Sequence, residues 1–276
     1  MLAYILLITG LIFGSFIGAL VWRVRETSVG IISSSKQTSV NLSIVKGRSV
    51  CPNCYHLLHP RDLIPVFSWL TLRGKCRYCH KPISGIYPIL ELLTAGLFVF
   101  SYYFWPATLR GIGSFVFITW LIILVGLIAL LIYDAKWFLL PNRIVYPLTV
   151  IAVLRLGIVA IWNHDVSSQL LGALSGIILI SGTFLVLYHI SKGSWIGGGD
   201  VKLGVLLGIL VGGPLNSILL LVISSSVGTV YALPMVVSGK ASRKTQVPFG
   251  PFLIIGAIVV TLFGTSITHW YRHLYI

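Results

Sequence analysis

The chain has 276 residues, 57% of them hydrophobic and only 9% charged, with a mean hydropathy of +0.97. A water-soluble domain of this size cannot hide that balance in its core, so the composition excludes a soluble globular protein and requires one embedded in a membrane. The formal charge of +14 does not indicate a nucleic-acid partner either, because the basic residues are distributed as a membrane topology would place them.

Runs long enough to cross a bilayer, which takes about 20 helical residues, fall at 1–22, 88–105, 113–133, 144–162, 170–190, 203–212, 215–237 and 251–270. The expected fold is an all-α polytopic membrane protein of about eight transmembrane helices, the sixth being short. The first run lacks a basic start and a small-residue cleavage site and ends in Trp22-Arg23-Val24-Arg25, so it reads as a retained span and not a secretory signal. Nearly unbroken apolarity excludes an outer-membrane barrel, whose strands would alternate. Trp22, Trp105, Trp120, Tyr133, Trp162 and Trp270 lie near run ends, where amphipathic rings settle at the headgroup level.

Of the 20 Lys and Arg, ten lie between Arg23 and Lys81. Loops carrying Lys136, Arg143, Lys192, Lys202, Lys240, Arg243 and Lys244 supply seven more on the same face, against Arg110 and Arg272 on the other, with Arg155 inside a span. The positive-inside rule makes the rich face cytoplasmic and points both termini outward. The chain divides into a first transmembrane helix (1–22), a cytoplasmic insert (23–87) and a polytopic domain (88–276). Within the insert, Thr27 to Gly47 is Ser-rich and aperiodic, a loosely ordered lead-in. No internal repeat or low-complexity tract stands out.

The insert contains all four cysteines, as Cys51-Pro52-Asn53-Cys54 and Cys76-Arg77-Tyr78-Cys79. A CxxC knuckle places two thiolates on one turn, and two knuckles fill a closed tetrahedral zinc site. A reducing cytoplasm favours thiolate ligands over disulfides, the alternative reading. His56, His59 and His80 are near enough to replace a ligand, or are surface residues. A small insert without an obvious apolar core gains folding free energy from a metal crosslink, so the expected zinc is structural.

Only six acidic residues occur in the chain. Two of them, Asp134 and Asp200, stand where apolar segments meet short loops, and a carboxylate there is costly enough to imply a purpose. Two spans separate the cysteine insert from Asp134, and two more separate Asp134 from Asp200, so all three return to one face. Paired carboxylates can share a proton: the ionised one activates a water for attack on a peptide carbonyl, and the protonated one donates to the developing oxyanion. That is aspartic-protease chemistry and needs no cofactor. Gly197, Gly198 and Gly199 remove side-chain bulk before Asp200, letting an extended substrate approach past them and Lys202. Singly, Asp134 could be a helix-end residue pairing with Lys136, and Asp200 could cap a helix beginning at Val201. Glu91, Arg155, Asp62 and Asp165 read as structural or surface residues.

These residues resemble the type IV prepilin peptidases (leader peptidase/N-methyltransferase), membrane aspartic proteases of the GxGD kind. Gly14-Ser15-Phe16 is similar to the family's opening GSF. Cys51 through Leu63-Ile64-Pro65, Leu72-Arg73-Gly74-Lys75-Cys76, Ile83-Ser84, Tyr87-Pro88 and Glu91-Leu92-Leu93 follow its cysteine domain. Asp134 with Leu140-Pro141 resembles its first catalytic motif, Gly197-Gly198-Gly199-Asp200-Val201-Lys202-Leu203 its second, and Pro248-Phe249-Gly250-Pro251-Phe252 the lead-in to its final span. The resemblance implies catalytic Asp134 and Asp200 in a bacterial inner membrane. The partners it implies are prepilins or pseudopilins, cleaved on the cytoplasmic side after the glycine that ends a basic leader. In many members methylation of the new N-terminus by S-adenosylmethionine follows. The chain departs from the pattern at Asn142, often aspartate after Leu-Pro, at Gly18, often asparagine, and before Tyr87, where an arginine is usual. It also has no GxGxxG after a strand to announce a nucleotide-type site. Two other readings compete: another GxGD protease, which would not carry the two-knuckle insert, and a transporter, which would spread polar residues along broken helices near the midplane.

Overall fold

The structure, a computed structural model, describes residues 1–29, 43, 47–239 and 247–275. Most of the Ser-rich lead-in predicted over 27–47 lies outside the described residues, as do the loop basic residues Lys240, Arg243 and Lys244. All named elements are helical, and their contacts divide the chain into two units, Met1–Tyr103 and Phe104–Ile276.

The first unit pairs α1 (Leu2–Val29) with α3 (Ile86–Tyr103). Gly10, Gly14 and Gly18 recur every fourth residue on α1 and line its contact with α3. A Cβ on Gly10 would lie 2.5 Å from the Ala95 Cα, one on Gly14 would strike the Glu91 backbone, and one on Gly18 would meet the Tyr87 ring at 2.6 Å. Small residues at that spacing let two apolar helices approach backbone to backbone, which is how dispersion contacts hold helices together in lipid. The helix also runs seven residues past the expected end of the first span. Arg23 is only 6% exposed and donates to the Ser43 carbonyl, and Thr27 and Ser28 donate back to the Arg23 and Val24 carbonyls, so polar side chains are satisfied without breaking the helical ladder. The insert adds a 3₁₀ turn (Pro60–Leu63) and the short helix α2 (Phe67–Thr71).

The second unit is built on α4 (Ile112–Trp137). This helix is apolar around its whole circumference and is therefore a core element, with Trp120, Ile123, Leu124, Leu127 and Leu130 fully buried. Trp120 and Tyr133, expected at the headgroup level, belong to this interior, whereas Trp162 and Trp270 are more than half exposed. Around α4 run α5 (Asn142–Trp162), the continuous rod α6 (Val166–Ile177), a π turn (Ile178–Gly182) and α7 (Thr183–Ser191), then α8 (Gly198–Val211), α9 (Pro214–Val237) and α10 (Gly250–Tyr275).

Among the described residues, seven helices are long and apolar enough to cross a membrane, counting α6 to α7 as one; α8, the expected sixth span, is not among them. Its 14 residues rise about 21 Å, less than the hydrocarbon thickness of roughly 30 Å. It nevertheless returns the chain along α6, with Gly204 against Ser181, Gly208 against Gly176, and the Gly213 N–H bonded to the Gly172 carbonyl at 2.8 Å. Leu203, Leu206 and Leu207 on α8 are fully buried, so protein rather than lipid surrounds it and its length need not match the bilayer.

Candidate functional site

Two sets of predicted residues come together, one in each unit. In the first, the four cysteine sulfurs lie within 4.8 Å of one another, with Cys51 and Cys76 buried and no disulfide formed. The two knuckles repeat each other bond for bond. The Cys51 N–H donates to the His56 carbonyl as that of Cys76 does to Lys81, and the Tyr55 N–H donates to the Cys51 carbonyl as that of His80 does to Cys76. Tyr55 and His80 both adopt φ 56°, and the bridges Val50 to Leu57 and Lys75 to Pro82 close both turns. No periodicity marks this duplication beyond the cysteines themselves, because most of the repeated contacts are made by backbone.

Burial pushes the Cys51 thiol up to about 12. Burial also opposes ionisation of Cys76, but N–H donors from Cys79 and Tyr78 and the neighbouring thiols bring it down to about 7. The His56 ring stacks on Tyr78 with centroids 3.7 Å apart, so it packs beside the cluster. Between the knuckles, Asp62 accepts from Arg77 Nε at 2.7 Å, the Tyr78 hydroxyl at 2.9 Å and the His59 N–H at 3.2 Å. Burial would raise its pKa, yet these donors hold the carboxyl below the usual carboxylate range. Glu91 is 6% exposed and accepts from the Val66 N–H at 2.6 Å and from Ser15, tying the insert to both long helices of the unit.

In the second unit, Asp134 stands in the last turn of α4, 5% exposed, and Asp200 in the first turn of α8, partly buried. The two carboxylates lie within electrostatic range of each other. Asp134 accepts the Gly250 N–H at 3.1 Å, and a Cβ at Gly250 would fall 2.6 Å from its Oδ2. The Asp200 carboxylate faces the N–H of Gly197, the residue preceding α8. Each carboxylate therefore rests on a helix N-terminus, α10 for Asp134 and its own α8 for Asp200, where unpaired N–H groups and the dipole favour negative charge.

Gly197 and Gly198 are exposed, while Gly199 packs against Leu140, whose Cβ would lie 3.1 Å from an added Cβ. Lys202 donates to the Asn142 side chain at 3.0 Å and lies 5.8 Å from the Tyr146 ring centroid, pinning the start of α8 to that of α5. Ser181, within the π turn, donates to the Val201 carbonyl at 2.9 Å. Gly250 and Ser181 were not among the expected site residues. A glycine between Phe249 and Pro251 at the head of a span was the available signal for the first; nothing local marks the second.

The chain resembles known proteins along nearly all its length. Residues 8–105 match the bacterial peptidase A24 N-terminal domain, and residues 121–233 match the type IV leader peptidase family. A prepilin leader peptidase/N-methyltransferase of Pseudomonas aeruginosa is 32% identical, covering 98% of this chain and 94% of the relative. One of Bacillus subtilis is 33% identical, covering 97% and 96%. A type 4 prepilin-like proteins leader peptide-processing enzyme of Escherichia coli is 32% identical, covering 90% and 89%. No solved structure matches significantly.

Proposed function

The chain belongs to the type IV leader peptidase family, and from that premise we propose that it is a membrane aspartic endopeptidase which removes the basic leader of type IV prepilins or pseudopilins and then N-methylates the new terminus. The single observation that carries the peptidase reading is the meeting of Asp134 and Asp200 from helices far apart in sequence, each held by one backbone N–H. At such range both carboxylates cannot ionise cheaply, so they hold one proton between them. The ionised member takes a proton from a water as its oxygen attacks the scissile carbonyl, and the protonated member gives its proton to the carbonyl oxygen. Collapse of the tetrahedral intermediate then breaks the C–N bond as a proton passes to the leaving amine. Gly197 and Gly198 leave the approach to Asp200 open. Lys202 and Asn142 hold the opening between α5 and α8 in register.

The four cysteines fit a structural zinc: with Zn–S near 2.3 Å a tetrahedral site sets sulfurs about 3.8 Å apart, and Cys51 and Cys79 are 4.0 Å apart. The ion would crosslink the two knuckles and take no part in either reaction. We place the insert and the aspartates on the cytoplasmic side, on the charge distribution of the loops. S-adenosylmethionine supplies the methyl group.

The test is coexpression with a prepilin and mass spectrometry of the mature N-terminus, in wild type and in Asp134→Asn and Asp200→Asn. Processing by either variant at the wild-type rate would defeat the pair, and a mature terminus without the mass of a methyl group would defeat the second activity. For zinc, cysteine thiols must lose their protons to bind, so affinity falls as pH falls and metal addition releases acid. Cys51→Ser should cut bound zinc and protein abundance together, measured by metal analysis and immunoblot.

A further inference from the structure

The second unit has a recess at the end opposite its aspartates. Helix α8 carries Asp200 in its first turn and has only 14 residues, so it ends short of the roughly 30 Å hydrocarbon layer. Beyond its last turn lies a cavity of about 330 Å³, bordered by Arg155 of α5, Ser168 and Gln169 of α6, and the Gly212-Gly213 turn. That volume is within the roughly 300–1,000 Å³ typical of ligand sites. A Cβ added to Gly212 or Gly213 would meet nothing within 4 Å, so the turn leaves the recess open.

Arg155 stands in a membrane-spanning helix that ends at Trp162, about 10 Å further along the axis. A cation at that depth is costly and calls for a partner. All six carboxylates of the chain are described, yet among the described residues Arg155 forms no ion pair and no hydrogen bond. The end of α8 does not need it as a cap. The Gly208 carbonyl accepts the Gly212 N–H at 3.2 Å, the Val211 carbonyl accepts the Asn216 side-chain amide at 3.0 Å, and the Gly172 carbonyl accepts the Gly213 N–H at 2.8 Å. The Ser168 hydroxyl and the Gln169 side-chain amide are also without partners among the described residues. Three side-chain donors therefore border one cavity, and no acidic side chain borders it.

We propose that this cavity seats the phosphate of an anionic phospholipid from the adjacent leaflet. A guanidinium fork matches two phosphate oxygens at once, and the amide and hydroxyl can donate to the others. The remaining wall is apolar, with Val116, Leu156 and Val159. Leu154 and Ile158, beside Arg155 on α5, are exposed, a surface on which acyl chains can lie. A free phosphate offers the same oxygens but nothing for that surface. A bound lipid would tie α5 and α6 to the end of α8 and fill the space that the short helix leaves. It would take no part in cleavage, because Asp134 and Asp200 stand at the other end of α4 and α8.

The test titrates the full-length chain, purified in detergent and stripped of lipid, with phosphatidylglycerol or with phosphatidylcholine of the same acyl chains. Native mass spectrometry counts the lipid retained. Wild type should hold one phosphatidylglycerol about tenfold more tightly than phosphatidylcholine, and Arg155→Gln should abolish that preference. Arg155→Lys keeps the charge without the fork and should retain part of it. Gln169→Leu, at a partly exposed position, should weaken retention about threefold and serves as the test if Arg155→Gln does not fold. Gel filtration and the thermal melt without lipid show which variants are folded. Equal retention of the two lipids by wild type overturns the proposal, and so does a preference that survives undiminished in the folded variants. A wild-type melting temperature raised by inorganic phosphate but not by phosphatidylglycerol would also overturn it, by assigning the cavity to a soluble anion.

Discussion

Asp134 and Asp200 come within electrostatic range of each other by opposite routes. Asp200 occupies the first turn of its own helix, where the macrodipole favours a carboxylate and the Gly197 N–H is three residues away. Asp134 occupies the last turn of α4, the end where a negative charge is disfavoured, and depends on an N–H from α10, 116 residues further along the chain. The first carboxylate is placed by local chemistry and the second by tertiary structure. Asp62 in the insert gives a third case: three donors occupy it, whereas each of the pair has one recorded among the described residues. A carboxylate whose acceptor positions are taken holds structure, and one with positions to spare can do chemistry.

The largest expected effect comes from removing either charge. Asp134→Asn and Asp200→Asn should each lower cleavage by roughly 10²–10⁴-fold, read from the mature fraction at fixed time; a large difference between them would mean that the two do not act as a unit. Gly250→Ala tests the tertiary route, because its Cβ meets Asp134 Oδ2 at 2.6 Å. A shift of about 1 Å in the carboxylate should cost on the order of 10²-fold in rate, with little loss of protein on immunoblot. Gly197→Pro tests the local route. Gly197 has φ −77°, which proline tolerates, so the change deletes the N–H and should cost only about tenfold; an effect larger than that of Gly250→Ala would reverse the ranking of the two supports.

The smallest effect is expected at Asp62. Asp62→Asn loses the ion pair with half-exposed Arg77, so the stability cost is of order 1 kcal/mol in a thermal melt. The pH dependence has a definite sign. The folded pKa is depressed, so the stabilisation is full above the unfolded carboxylate pKa and is lost as pH falls through the lower folded value. The variant's deficit should therefore shrink in acid, and a deficit independent of pH would assign it to packing.

Most of the helices were legible in the sequence because lipid imposes length and apolarity on them, and composition records both. Their ends were less legible. The first span continues to Val29 because Arg23, Thr27 and Ser28 find backbone partners, which hydropathy does not register. Both aspartates stood out as candidates, since a charge is conspicuous in an apolar chain, and the spacing of the cysteines marked the cluster that they form. Gly250 was not legible as a site residue: its importance lies in an atom it lacks, opposite a residue in another helix. The glycine repeat Gly10, Gly14, Gly18 was visible, but only the contact with α3 gives it meaning.

The π turn at Ile178–Gly182 has a consequence for how this rod tolerates change in length. A π turn spreads about one turn's rotation over one residue more than the α ladder does, so it takes up an extra residue without turning the helix beyond it. Deleting one residue there should restore the ladder and leave α7 close to its present heading, with the local loss confined to the bond from Ser181 to the Val201 carbonyl. The same deletion in the regular part of α6 or α7 would rotate everything beyond it by about 100°. The segment leading to Gly197 should therefore survive the loss of one residue at Ile178–Gly182 far more readily than elsewhere along the rod.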